Sequence, residues 1–132
     1  MIINSLKTIL VAIIFFITIV SNSKAQESRL EIQKKSIAKY KVTFIELGSV
    51  RCIPCQKMQG VMKSIEKKYG TQVKVVFHDV WSPEGKPFGQ QFGIEAIPTQ
   101  VFLDENGKEF SRHVGFFPEE ELIKVLKSEG VK

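Results

Sequence analysis

An α/β domain, with a central mixed β-sheet flanked by helices on both faces, is the fold class the sequence predicts. Three observations point to it. A short apolar run at residues 42–47 leads into a long amphipathic helix and a second β-patterned run at 73–80, the order of a strand–helix–strand unit. Two further strand patterns flank an Asn106-Gly107 dipeptide, the signature of a hairpin. A final apolar stripe of helical spacing closes the chain. A strand–helix–strand unit followed by a hairpin and a helix makes a mixed sheet.

Taken in order, Leu30, Ile32, Ile37 and Tyr40 suggest a first helix of imperfect spacing. Residues 42–47 are rich in β-formers and end at Gly48-Ser49, so they read as a buried strand running into a loop. In the next helix Met58, Val61, Met62, Ile65 and Tyr69 share one face, Lys57, Ser64, Lys67 and Lys68 lie elsewhere, and Gly70 is placed to end it. Val73, Val75 and Phe77 then alternate with Lys74, Val76 and His78. Residues 82–87 are a loop by composition, followed by a short helix-like stretch ending at Phe92-Gly93. Residues 99–103 and 108–114 form the hairpin around Asp104-Glu105-Asn106-Gly107. Pro118 and Glu119 suit the first turn of a helix whose apolar face is Leu122, Ile123, Val125 and Leu126.

The 132 residues leave room for one domain and a leader. Lys7 precedes an apolar run from Ile9 to Val20, and the run ends in Ser-Asn-Ser-Lys-Ala-Gln. Basic segment, apolar segment and small-residue site form the order of a secretory signal, with Ser23 and Ala25 before the cut. The expected division is therefore a signal peptide at 1–25 and a domain at 26–132. An uncleaved anchor is the competing reading, although the apolar run is shorter than the roughly twenty residues that a spanning helix needs. Either way the protein is expected to be exported, to a periplasmic or other extracytoplasmic space, and any anchoring would be through its N-terminal segment.

The net charge is +5, and the leader holds Lys7 and Lys24 with no acid, leaving +3 on residues 26–132. That is too weak to imply nucleic acid, and the lysines interspersed among apolar helical positions read as solvated faces. The sequence gives no reason to expect a cofactor or a stable oligomer, so a monomer is expected.

The two cysteines, Cys52 and Cys55, are separated by two residues. A structural disulfide gains most by closing a long loop, and this pair closes almost none. Chemistry explains it better than stability does. Cys52-Ile53-Pro54-Cys55 sits where a loop enters a helix. There the partial positive charge of the helix start favours a thiolate and unpaired backbone N–H groups can bond to it. Pro54 suits the first helical turn, where a missing N–H costs nothing. Cys52 is expected as the exposed nucleophile and Cys55 as the resolving thiol. The alternative is zinc, with His78 and His113 completing four ligands, but those histidines are 35 positions apart on different strands, whereas zinc modules gather their second pair closely. No metal is expected.

Several stretches together resemble thioredoxin over residues 42–126. They are Cys52-Ile53-Pro54-Cys55, the segment Phe92-Gly93-Ile94-Glu95-Ala96-Ile97-Pro98-Thr99, the Asn106-Gly107 hairpin, and Val114-Gly115, in matching order and at matching intervals. The resemblance implies a thioredoxin-like domain and a thiol–disulfide oxidoreductase acting on protein disulfides. It implies a cis bond between Ile97 and Pro98, shaping a groove beside the dithiol; an ordinary proline opening a strand is the plainer reading. Ile97, Pro98, Pro54 and Arg51 are the residues expected against substrate. Glu46, six residues before Cys52, stands where the family has a buried acid able to take the Cys55 proton; an exposed strand glutamate is the alternative.

Departures from the family pattern are Arg51 for tryptophan, Ile53 for glycine, Gly60 for a helix-kinking proline, and the absence of a lysine near Val75 and Phe77 to pair with the acid. Trp81 could line the active edge, but core packing is the stronger expectation. Pro54 before the second cysteine resembles the reductases of the family, so a reductase recharged by a membrane electron donor is expected. A disulfide-donating oxidase and a non-catalytic module that binds clients or metal remain as alternatives.

Overall fold

A computed structural model describes residues 40–132. The leader at 1–25 and the helix expected through Leu30, Ile32 and Ile37 lie outside them. The elements are β1 (Val42–Gly48), α1 (Ile53–Tyr69), β2 (Val73–Asp79), α2 (Lys86–Gln91), β3 (Thr99–Leu103), β4 (Glu109–Val114) and α3 (Glu119–Ser128). The sheet runs β2-β1-β3-β4. β1 is parallel to β2 and antiparallel to β3, and β3 is antiparallel to β4, which makes the sheet mixed. Among the described residues no helix is long and apolar enough to cross a membrane.

β1 is covered on both faces, which is why all seven of its residues are buried and its sequence is nearly continuously apolar. Its alternate residues feed two cores. Val42 and Phe44 join Phe102 of β3, Met58, Val61, Met62 and Ile65 of α1, and Leu122 and Leu126 of α3. Ile45 and Leu47 join Val101 of β3 on the other face, where Phe88 of α2, Phe92 and Ile94 pack. The Phe44 and Phe102 rings stack at 5.2 Å in the larger core. Helices therefore cover both faces, α1 and α3 on one and α2 on the other.

α1 starts at Cys52, whose extended backbone (φ −98°, ψ 121°) and sulfur cap the helix by accepting the Cys55 N–H. Its far end is fastened to α3, because Glu119 accepts hydrogen bonds from Ser64 Oγ and Lys68 Nζ. Gly70 closes α1 in a right-handed conformation, φ −60°, with its N–H on Glu66 O. It does not act through the left-handed geometry usual for such a glycine.

One local expectation is corrected. Trp81, expected in the core, is 52% exposed: it lies beyond the last residue of β2, which is the edge of the sheet among the described residues, where the chain leaves the sheet. The hairpin turns through Asp104-Glu105-Asn106-Gly107 as expected, between β3 and β4. Asp104 Oδ1 accepts the N–H groups of Asn106 and Lys108, Gly107 takes φ +79°, and the ladder slips between Phe102 and Leu103, the signature of a turn with a bulge.

A candidate dithiol active site at the start of α1

Cys52 and Cys55 form a disulfide, with Cα atoms 5.2 Å apart. Both cysteines are buried, Cys55 fully and Cys52 at 7% exposure, so Cys52 is the nearer of the two to solvent. The Cys52 Sγ lies 3.3 Å from the Cys55 backbone nitrogen. That donor, together with the helix start, is placed to stabilise a thiolate at Cys52 once the disulfide is opened.

Beneath the pair lies Glu46, fully buried on the α1 face of β1. Burial pushes its carboxyl up from 4.5 to about 7, and a hydrogen bond from Gln100 pulls the other way. Gln100 Nε2 donates to Glu46 Oε2 at 2.9 Å, while Glu46 Oε1 has no hydrogen-bond partner. The missing side chain of Gly48 is what brings carboxyl and sulfur near one another. A Cβ built on it would stand 3.2 Å from both Cβ and Sγ of Cys55 and 3.3 Å from Glu46 Oε1.

The rim is built by β2 and the loop after β1. Asp79 Oδ2 accepts the Val50 N–H at 3.3 Å and Oδ1 the Trp81 N–H at 3.1 Å, tying the loop before Cys52 to the end of β2. Burial works against ionisation of Asp79, but hydrogen bonds from Ser49, Trp81 and Val50 and the charge of Arg51 outweigh it and hold its carboxyl below the usual value. The Arg51 guanidinium lies 5.7 Å from the Trp81 ring centroid, close enough for a cation–π contact. The cation thus leans on an exposed aromatic wall supplied by the turn after β2. Val50 and Ile53 are also exposed, at 60% and 70%, so the disulfide sits among apolar surface. Pro54 is exposed in the first turn of α1.

The Ile97–Pro98 bond is cis. Thr99 pairs with Leu47, so Pro98 lies one residue beyond that pair, at the end of the sheet where Gly48 leads into the dithiol loop. Pro98 is buried and its carbonyl accepts the Gly115 N–H at 2.8 Å; Gly115 adopts φ +95°, which a side chain would resist. Ile97, half-buried, also lines a cleft of about 470 Å³ together with Val80, Trp81, Gly93 and Ile94.

The two histidines are held on opposite faces of the sheet. His78 stacks on Phe88 at 3.6 Å beside α2, and burial lowers its pKa; His113 stacks on Phe117 at 4.0 Å on the α1 side. Sequence reasoning missed Gln100, Gly48 as a spacer, and Asp79. A glutamine inside the apolar run Thr99–Leu103 was the available signal for the first.

Residues 25–129 match the model of the thioredoxin-like domain family. The chain is 32% identical over 97 residues to thioredoxin H-type 1 of Nicotiana tabacum, covering 74% of each. It is 29% identical over 86 residues to a prophage-derived thioredoxin-like protein of Bacillus subtilis, 64% of this chain and 98% of that one. A chloroplastic thioredoxin-like protein of Arabidopsis thaliana is 28% identical over 90 residues, and there the chain spans only 34% of the relative's length. Among solved structures the thioredoxin NaTrxh of Nicotiana alata superposes with a TM-score of 0.62 at 29% identity, covering 77% of this chain and 85% of that one. The exposed lipoprotein thioredoxin of Streptococcus pneumoniae shares the fold, with a TM-score of 0.61 at 22% identity over 70% of this chain and 88% of its own. A mixed sheet carrying a close cysteine pair at a helix start defines a thiol–disulfide oxidoreductase. The chain belongs to the thioredoxin-like family.

Proposed function

We propose that this protein is an exported protein-disulfide reductase with Cys52 as nucleophile, Cys55 as resolving thiol and Glu46 as the base that serves Cys55. The observation that carries the reading is the buried carboxyl whose free oxygen borders the same gap as the inner sulfur of the disulfide. The Cys52 thiolate attacks a client disulfide, forming a Cys52–client bond and releasing one client thiolate, which takes a proton from water. Cys55 gives its proton to Glu46, and its thiolate attacks Cys52 Sγ. The Cys52–client bond breaks, the second client thiolate leaves and is protonated, and the Cys52–Cys55 disulfide forms. Two electrons have passed to the client, and the disulfide form of this structure is the spent state.

Ile97, Pro98, Pro54 and Arg51 surround the place where the client chain docks. The exposed apolar residues Val50, Ile53 and Trp81 supply contact area for an unfolded or extended client. An extracytoplasmic space is oxidising, and this chain carries no further cysteines, so a donor in the membrane returns two electrons and two protons to the pair. The sequence of residues 1–25 supports export with cleavage after Ala25, leaving 26–132 as a monomeric domain. The fold neighbour described as an exposed lipoprotein is in keeping with a working place outside the cytoplasm.

Direction is tested by the reduction potential. Pro54 before the second cysteine supports a value near that of thioredoxin, about −270 mV, rather than the oxidant value of about −120 mV. Equilibration of the pair with dithiothreitol, alongside Cys52→Ser as the inactive control, measures it. A potential above about −180 mV would make the protein a donor of disulfides, and reduced protein that exchanges with no client disulfide would make it a binding module.

A further inference from the structure

We infer that Gln100 is a positioning residue for proton removal from Cys55: its amide pins one oxygen of Glu46, which leaves the other turned to the gap that Gly48 opens beside the Cys55 sulfur. The inference rests on the reading of Glu46 as the base and adds what aims it. Glu46 and Gln100 are paired across β1 and β3 and both are fully buried on the α1 face. Antiparallel partners lie about 5 Å apart at Cα, so the two side chains meet without reaching.

A carboxylate has two oxygens, and their roles are divided here. Oε2 accepts the Gln100 Nε2 at 2.9 Å, and Oε1 has no partner. Oε1 and the Cys55 Sγ are both within 3.3 Å of the point where a Cβ on Gly48 would stand. Free rotation of the carboxyl would spread the base over several directions, and the amide removes that freedom. A neutral donor also suits the task. It favours the ionised carboxyl moderately, without the fixed charge of a lysine, which would hold the group ionised and weaken it as a base.

The groups facing Glu46 leave little else to set its behaviour. Cys55 comes from α1, Phe77 is its partner on β2 and Gln100 its partner on β3. Phe44 and Gly48 are its neighbours on the same face of β1. His113 is one strand further, paired with Gln100 and stacked on Phe117. The other ionisable groups on this face are the Cys55 thiol, that more distant imidazole, and Asp79, which is paired with Gly48 on β2 and kept ionised by its own hydrogen bonds.

In the step proposed, the Cys55 S–H bond breaks and the proton passes to Oε1. The thiolate forms the bond to Cys52 Sγ as the Cys52–client bond breaks, and Glu46 later returns the proton to solvent. Gln100 exchanges no proton and no electrons.

The test uses purified reduced protein and the aromatic disulfide of thionitrobenzoate, whose coloured thiolate is released twice: once when Cys52 attacks and again when Cys55 resolves. The variant Gln100→Met keeps the length of the side chain and removes the donor. A lost hydrogen bond to a charged group corresponds to about one pH unit. Gln100→Met is therefore expected to move the midpoint of the second phase upward by about one unit. Below that midpoint the second phase slows about tenfold, while the first phase is unchanged. In a Glu46→Gln background the Gln100→Met change should have no further effect on the second phase.

An unmoved midpoint in Gln100→Met, with the inflection lost in Glu46→Gln, overturns the role of Gln100 and leaves Glu46 as the base. Survival of the inflection in Glu46→Gln overturns the reading of Glu46 itself. Should Gln100→Met fail to fold, the wild-type protein still decides: the side-chain amide resonances of Gln100 must follow the Glu46 titration with the same midpoint. Amide signals that stay fixed through it exclude the pairing.

Discussion

At Glu46 the cost of burial has a definite pH signature. The carboxyl titrates near its usual 4.5 in the unfolded chain and at about 7 in the folded one. Between those values the unfolded chain loses its proton first, so stability falls as pH rises through the window and stays low above it. The gap between the two titrations corresponds to roughly 3 kcal/mol. Replacing Glu46 by Gln should abolish that loss, leaving the variant more stable than the parent at pH 8 by up to about 3 kcal/mol. Urea unfolding of oxidised protein at pH 4.5 and pH 8 measures it, and identical pH slopes for the two proteins would refute it. Gly48 supplies a second prediction. Its Ala variant places a methyl 3.2 Å from the Cys55 sulfur in a packed interior, a crowding that typically costs about 1–3 kcal/mol. The resolving step should slow with it. Thermal unfolding and the second phase of thiol exchange report the two effects separately. Neither residue was fully legible in the sequence. Glu46 could be placed on the same face as Val42 and Phe44 by alternation alone, but its partner Gln100 lies 54 positions away, and only the β1–β3 register joins them.

At the scale of elements, α1 was the most legible part because its stripe and its stop are local. Its start adds chemistry to a structural duty, since the sulfur of Cys52 is also the cap. Under reducing conditions Cys52→Ser should unfold at nearly the same denaturant concentration as the parent, because a hydroxyl caps equally well. Cys52→Ala should lose about 1 kcal/mol. Equal stability of the Ser and Ala variants would show that the cap contributes nothing. The loop before α1 depends instead on Asp79, at the end of β2. In Asp79→Ala the Val50 and Trp81 amides lose their acceptor, so their hydrogen exchange should accelerate while that of the α1 interior does not. Trp81 shows where pattern reading failed. An aromatic after a strand usually packs inward, and only the place of β2 at the edge of the sheet among the described residues turns that expectation around. The hairpin was legible with its four turn residues, yet the slip in its ladder between Phe102 and Leu103 and the bonds from Asn106 and Lys108 to Asp104 were not.

Across the whole molecule, the order of elements was readable because each strand and helix carries its own period, and the sheet order β2-β1-β3-β4 follows from a parallel unit joined to a hairpin. The ends of the described chain add something the order alone does not. Lys41 Nζ donates to Gly130 O at 2.6 Å, and Gln72 exchanges hydrogen bonds with Lys132 at 2.8 and 3.1 Å. These ties gather both ends at the Val42 end of β1, whereas the disulfide follows its Gly48 end. Seven residues of strand separate the two poles, about 20 Å of extended chain. A tether, a fusion partner or a solid support joined after Lys132 is thus fastened at the rear of the domain. The protein can be leashed there with its sulfur pole facing outward, and immobilised through its C-terminus it should exchange thiols as fast as it does free in solution.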